Sequence, residues 1–274
     1  MITGVSGVRP RLIPVLLIRD NAVFTTRTFQ RPSYVGDLLN TVRIFNELEV
    51  DELIVLDVDA SREGRGPNLE LLRAVADECF MPLCYGGGVS TVEQMHALYN
   101  TGIEKVSLNR ALYKDPGLLE RAAARFGRQA VVASLDAVLE PAAQRANDPD
   151  AAPTRWTARE FLPGMDDAPA LARRYAELGA GELLIGAVLR DGSRQGYDLE
   201  LFSTVCTSVA VPVIAHCGAD GLSDVQAVLS AGAAAAAAST MLMRQKAFGS
   251  VLVHYPNQRQ RSVSMAPPPS WVQP

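Results

Sequence analysis

Sliding the sequence by 130 residues against itself gives an ungapped match that few folds satisfy. Glu52-Leu53 falls on Glu182-Leu183, Gly66 on Gly196, and Leu69-Glu70-Leu71 on Leu199-Glu200-Leu201. Pro82 falls on Pro212, Gly88 on Gly218 and Gly102 on Gly232. These positions are turns and strand starts, where shared backbone geometry is retained. The offset is far longer than a solenoid repeat, so it predicts two half-domains. Each half alternates short apolar runs with amphipathic stretches such as "TVEQMHALYNTG" and "PALARRYAELGAG", each with a glycine past the last turn. The pattern predicts strands over 11–17, 52–57, 81–85, 104–108, 129–136, 182–188, 211–215 and 234–239. Eight strands alternating with helices in two matching halves predict a single (β/α)8 TIM barrel of two (β/α)4 half-barrels, spanning 1–256. An open doubly wound sheet is the alternative, and the half-by-half match argues against it. The alanine run 233–238 looks helical by propensity. Its register with "EKVSLN" makes it strand eight instead. The insertion at about 139–160, with "LEPAAQRANDPDAAPTRW", reads as a mobile loop above the fifth strand. The segment 257–274, ending "MAPPPSWVQP", reads as a disordered tail.

Bulk properties narrow the function. The 274 residues carry a net charge of −4, which does not suggest a nucleic-acid or membrane-surface protein. The four cysteines (Cys79, Cys84, Cys206, Cys217) have no C-x-x-C spacing and read as reduced thiols of a cytoplasmic protein. Three scattered histidines (His96, His216, His254) make a zinc cluster unexpected, and no metal or cofactor is expected. "LIPVLLI" is too short to span a membrane and reads as a strand.

Active sites of such barrels lie at the C-terminal ends of the strands. Gly86, Gly87 and Gly88 follow strand three, and Asn109 follows strand four. Free backbone N–H groups on a glycine turn beside a helix start suit a phosphate; a tight turn alone is the plainer account. Ser90-Thr91-Val92-Glu93 then resembles a capping box. The repeat predicts a matching site after strands seven and eight, at Gly218, Ser239 and Thr240. There His216 and Cys217 replace the first two glycines, so the second site is altered. Packing or substrate contact is the preferred role of this pair over catalysis. Asp57 ends strand two and Asp136 ends strand five. Both suit general acid–base chemistry, or the capping of neighbouring loops. Leu17 aligns with Asp136, so one pseudo-symmetric position has no carboxylate. Asp191 and Gly192 in "RDGS", with Asp198, are further polar candidates after strand six, in a stretch that is also a good turn.

"RLIPVLLIRD", "DELIVLDVDASREGR", "MPLCYGGGV", "EKVSLN", "RDGSRQGYDLEL" and "VPVIA" together resemble the cyclase (HisF-type) subunit of imidazole glycerol phosphate synthase, over about residues 11–255. The resemblance implies a duplicated half-barrel with two phosphate sites for a phosphorylated substrate. It also implies a glutaminase (HisH-like) partner in a heterodimer, feeding ammonia through the barrel. The family's strand-five aspartate corresponds to Asp136; Leu17 stands where its strand-one acid is expected. Thr25 replaces a loop lysine and Gly186 a strand-six threonine. The family's ammonia gate of one Arg, one Lys and two Glu is matched in full by Arg11, Glu52, Lys105 and Glu182. A purely structural ring of these four charges is the alternative.

"RPSYVGDLLNTVRIFNELEVDELIVLDVDA" and "ECFMPLCYGGGV" are similar to HisF-like paralogues of surface-polysaccharide (O-antigen) gene sets, which also carry leucine at this strand-one position. That branch implies ammonia attack on an acetamido group of an aminosugar to give an acetamidino group. Two rivals stand beside it: the histidine-pathway cyclase, and a non-catalytic barrel that only docks and activates the glutaminase.

Overall fold

The computed structural model describes residues 10–139, 156–158, 167–247 and 249–265. Eight parallel strands close into a barrel: β1 (Arg11–Arg19), β4 (Leu53–Asp57), β5 (Leu83–Gly86), β6 (Lys105–Leu108), β7 (Val131–Leu139), β9 (Glu182–Ala187), β10 (Val213–His216) and β11 (Ala235–Ala238). Each lies within three residues of its predicted span. Closure comes from β11 pairing with β1, Arg11 opposite Ala235. The strands are near-continuously apolar because both faces are covered, one by helices and one by the lumen. Inward side chains include Ile13, Val15, Ile54, Cys84, Val132, Leu184, Ile214, Ala235 and Ala237. The outward set packs under the helices.

The alanine run is strand, as its register requires. Helix propensity is a weak preference beside the ladder bonds that two strand edges would otherwise leave unmade. The two halves also share their helix starts. Asn68 caps Leu71 N–H and Asp198 caps Leu201 N–H, at repeat-related positions. The capping box opening helix 92–99 is Thr91 with Gln94, one residue later than predicted. Ser90 lies before it, its N–H also bonded to Gln94 Oε1 at 2.8 Å.

Three further strands were not predicted. β2 (Ala22–Arg27) and β3 (Gln30–Asp37) form an antiparallel hairpin on β1, and β8 (Trp156–Ala158) pairs antiparallel with β7. Strands one and five thus each carry an antiparallel extension at the top, so the pseudo-two-fold reaches beyond the barrel wall. Most of the 139–160 insertion lies outside the described residues. Within the segment read as a disordered tail, Gln258–Ser264 form a short helix, capped by Asn257 with Gln260. Arg261 of this helix lies over the Tyr255 ring, 4.6 Å from its centroid, which anchors the turn to the barrel. Residues 266–274 lie outside the described residues.

Candidate active site

The strand C-termini surround a cavity of about 250 Å³. Its walls include Leu17, Gly86 to Gly88, Ser107, Asn109, Ser134, Asp136, Gly186 and His216. Arg19, Arg62 and Arg110 border it with positive charge.

The glycine turn is bare first because the chain itself approaches it. A Cβ on Gly87 would stand 2.5 Å from the Asp57 carbonyl oxygen, and one on Gly88 2.3 Å from that of Arg65. Gly87 (φ +125°) and Gly88 (φ +69°) also occupy backbone space that other residues rarely adopt. Gly88 N–H donates to Ser61 Oγ at 3.1 Å. Gly87→Val would therefore disturb the fold before it reported on any ligand, and Arg110 is the better place to test anion binding.

The two acids differ. Asp57 Oδ1 accepts from the N–H groups of Asp59 (3.2 Å) and Ala60 (3.0 Å), and Arg65 reaches its Oδ2 at 3.4 Å. It lines the cavity but serves as a loop cap. Asp136 faces the cavity and accepts from Asn109 Nδ2 at 2.9 Å, which joins two candidates in one hydrogen bond. Leu17 is the true counterpart of Asp136. Leu17 pairs in register with Leu56, and Asp136 with Gly186, and positions 56 and 186 are repeat-related.

In the second half, Gly218, Ser239 and Thr240 stand outside the cavity wall. A Cβ on Gly218 would lie 2.2 Å from the Gly196 carbonyl oxygen. The Ser239 hydroxyl is buried with no partner among the described residues. Asp220 lies beside this loop, ion-paired to Arg194 at 3.1 Å and to Lys246. Hydrogen bonding to Lys246 and Arg194 holds its carboxyl below the usual range. Asp191 and Gly192 grip the hairpin. Asp191 Oδ2 accepts from Thr26 Oγ1 (2.7 Å) and Phe29 N–H (2.9 Å), and its carbonyl from Thr28 N–H (3.1 Å). A Cβ on Gly192 would lie 2.1 Å from the Thr26 carbonyl oxygen. Burial, then Asp191 and Asp136, push the Cys217 thiol far up, so it is an uncharged thiol and no nucleophile at neutral pH.

Phe29 is a wall residue that sequence reading missed. It and Thr28 form the hairpin turn at φ 58° and 52°. Such a turn normally announces itself through Asn-Gly or Gly, and neither is present. Each left-handed residue costs about 1–2 kcal/mol, which the three bonds to Asp191 offset. The ring tip lies 3.5 Å from where a Gly186 Cβ would be and Asp136 Oδ1 3.1 Å from it, so a Cβ would meet the ring at ordinary contact distance and a branched side chain would crowd it. Gly186→Thr is expected to displace the hairpin, read as faster proteolysis between 22 and 37. Ser107 and Ser134 were also missed; each lies two residues before a recognised site residue, the inward period of a strand.

At the opposite end of the barrel Arg11, Glu52, Lys105 and Glu182 meet. Arg11 pairs with Glu52 and, at 2.6 Å, with Glu182; Lys105 pairs with Glu52 at 2.9 Å and Glu182 at 2.8 Å. The charges alternate around a closed ring. Burial would raise Glu182, but Arg11 and Lys105 outweigh it and hold its carboxyl below the usual range. Burial would lower Lys105, but Glu52 and Glu182 outweigh it and raise it. Above the ring the lumen is apolar up to the cavity. No group of three His, Cys, Asp or Glu among the described residues is placed to hold a metal, and no described helix is long and apolar enough to cross a membrane.

Residues 11–247 match the model of a family described as histidine biosynthesis protein. The chain is 38% identical over 266 residues to a Pseudomonas aeruginosa protein named as a candidate imidazole glycerol phosphate synthase subunit, hisF2, covering 93% of this chain and 99% of that one. It is 36% identical over 258 residues to a hisF3 counterpart from Vibrio vulnificus, covering 94% and 96%. Against the imidazole glycerol phosphate synthase subunit HisF of Hyphomonas neptunium it is 38% identical over 239 residues, covering 85% and 89%. With the barrel, the strand-five aspartate and the four-charge ring already in place, these matches make the chain a member of the histidine biosynthesis protein family.

Proposed function

We propose that this chain is the synthase subunit of a cytoplasmic glutamine amidotransferase complex, adding ammonia to a phosphorylated substrate, specifically amidinating an acetamido nucleotide sugar. The observation that carries this is the pairing of a complete charged ring and apolar lumen with a cavity that has Asp136 but leucine at position 17. Ammonia is small and neutral, so an apolar lumen passes it while excluding ammonium. Asp136, oriented by Asn109, faces the point where the lumen opens, and Asp136 moves protons there. Gly86 to Gly88, Asn109 and Arg110 hold the phosphate. Arg110→Ala is expected to weaken pyrophosphate binding by about tenfold in calorimetry, the scale of one lost charge-assisted bond.

The histidine-pathway cyclase is a second reading, favoured by the names of the relatives. An acid–base pair across the barrel would then need a second acid, and Asp57 is engaged as a cap. The deciding assay supplies ammonium salts with either the ribulosyl-formimino nucleotide or a nucleotide-linked acetamido sugar. The expected result is no imidazole glycerol phosphate, and exchange of the amide oxygen for NH in the sugar by mass spectrometry. Ordinary cyclase turnover would establish the second reading. No product from any substrate, with glutaminase still activated, would leave a docking scaffold.

The partner docks on the ring's face in this reading. Phe80, 84% exposed just before β5, lies on that face, its N–H bonded to Asn46 Oδ1 at 3.1 Å. An aromatic side chain so exposed suits an interface anchor. Phe80→Glu is expected to weaken heterodimer formation with the co-expressed glutaminase by at least about 30-fold, the roughly 2 kcal/mol of a hot spot.

A further inference from the structure

We propose that His216 is the second proton-transferring group of the cavity, paired with Asp136 across Gly186 in place of the acid that strand one lacks. This role rests on the amination reading above. Three strands carry the argument. Gly186 of β9 is in register with Asp136 of β7 on one side and with His216 of β10 on the other. Neighbouring strands lie about 4.8 Å apart, so the two side chains spring from points roughly 10 Å apart, with a glycine on the strand between them and the Phe29 ring tip packed over it. Ile214 faces the lumen two residues before His216, and the strand period carries His216 inward as well. Both His216 and Asp136 line the same cavity.

The ring makes no hydrogen bond to any described residue, although it is buried, 6% exposed. A buried imidazole without a protein partner is available to a ligand. The charged groups around it are Asp191 beside it, Asp136 across Gly186, and Asp57, Arg19, Arg62 and Arg110 on the other walls. Burial keeps its pKa below the ordinary imidazole range, and Asp191 opposes this in part. A neutral ring beside a carboxylate can take a proton and be steadied once charged.

The step balances with these groups. The ammonia lone pair forms a C–N bond to a trigonal carbon, and that carbon's π pair moves to its attached heteroatom. The new nitrogen carries one proton too many and the heteroatom an extra pair. His216 accepts the proton from nitrogen and hands it to the heteroatom, ending neutral; Asp136 then takes a second proton from that nitrogen and gives it to the departing hydroxyl, which leaves as water as the C=N bond forms.

The test uses the full chain with ammonium as nitrogen source. His216→Gln is expected to lower kcat about 10²-fold, with little change in KM, and to remove the acidic limb of the pH profile. In His216→Ala, free imidazole should restore part of the rate, which a packing role would not allow. With only three histidines, ring ¹H–¹⁵N spectra identify His216 by its absence in the variants. Its signal should titrate below the ordinary imidazole range, and lower still in Asp191→Asn. Wild-type kcat and pH profile in His216→Gln would overturn this role and leave the amination reading intact. So would a His216 ring charged at neutral pH. Absence of turnover in the wild type would overturn the amination reading itself, and this role with it.

Discussion

Asp136→Asn should lower ammonium-supported product formation by about 10²–10⁴-fold, the usual contribution of a positioned proton-transfer group. The substitution is nearly isosteric, and the amide keeps an oxygen to accept from Asn109 Nδ2, now 2.9 Å from the carboxylate. Side-chain position and fold are therefore expected to survive. Substrate affinity by calorimetry should change little, because the loss falls on proton transfer rather than binding. Steady-state rates with ammonium separate this from any effect on glutaminase coupling. Undiminished turnover would remove Asp136 from the chemistry and leave the Asn109 bond as an architectural one.

Lys105→Met is the second large effect, and it acts on two observables. The ring is an alternating cycle, so losing one cation leaves Glu52 and Glu182 sharing Arg11 alone. Breaking a buried pair by removing one member costs about 3–5 kcal/mol, against the roughly 5–15 kcal/mol of a typical domain. The pH dependence follows from the shifts. Glu182 is lowered, so its contribution is present above its unfolded value and is lost as pH falls through the lowered one. Lys105 is raised, so its contribution is present below its unfolded value and is lost as pH rises through the raised one. The melting-temperature gap between wild type and variant should be widest from about pH 5 to 10 and narrow on either side. In the assay, glutamine hydrolysis should continue while glutamine-dependent product falls. Ammonium-dependent product should be largely spared, because ammonia can enter from the open top. Equal loss with both nitrogen sources would make the ring a structural clasp only.

Much of this is legible in the sequence. The repeat demanded two equivalent halves, and equivalent halves that close leave no sheet edge to protect. Glu52 and Glu182 could be placed at the barrel's foot because each begins a strand, and a strand's first residue has only one end to occupy. The alanine strand was readable because its counterpart "EKVSLN" was. The β2–β3 hairpin was not readable, since its turn uses Thr28 and Phe29 where local rules look for glycine, and its stability comes from Asp191 on a distant loop. Asp57 and Asp136 looked alike in sequence, each ending a strand. Only the neighbours separated them: two loop N–H groups and an arginine claim the first, and an amide from β6's end orients the second.

By itself, then, the sequence determined the barrel, its two-fold origin and the four charges of the ring, because these depend on periodicity and on which end of a strand a residue occupies. Tertiary structure alone decided which polar groups serve as loop caps and ion-pair partners. Capping, ion pairing and the descent of Phe29 onto Gly186 are contacts between segments far apart in the chain. They commit Asp57, Asp191 and the second glycine turn to architecture, and leave Asp136 and His216 facing one cavity. A hydrogen bond made across the barrel has no local signature, since either partner would look the same in sequence with its bond unmade.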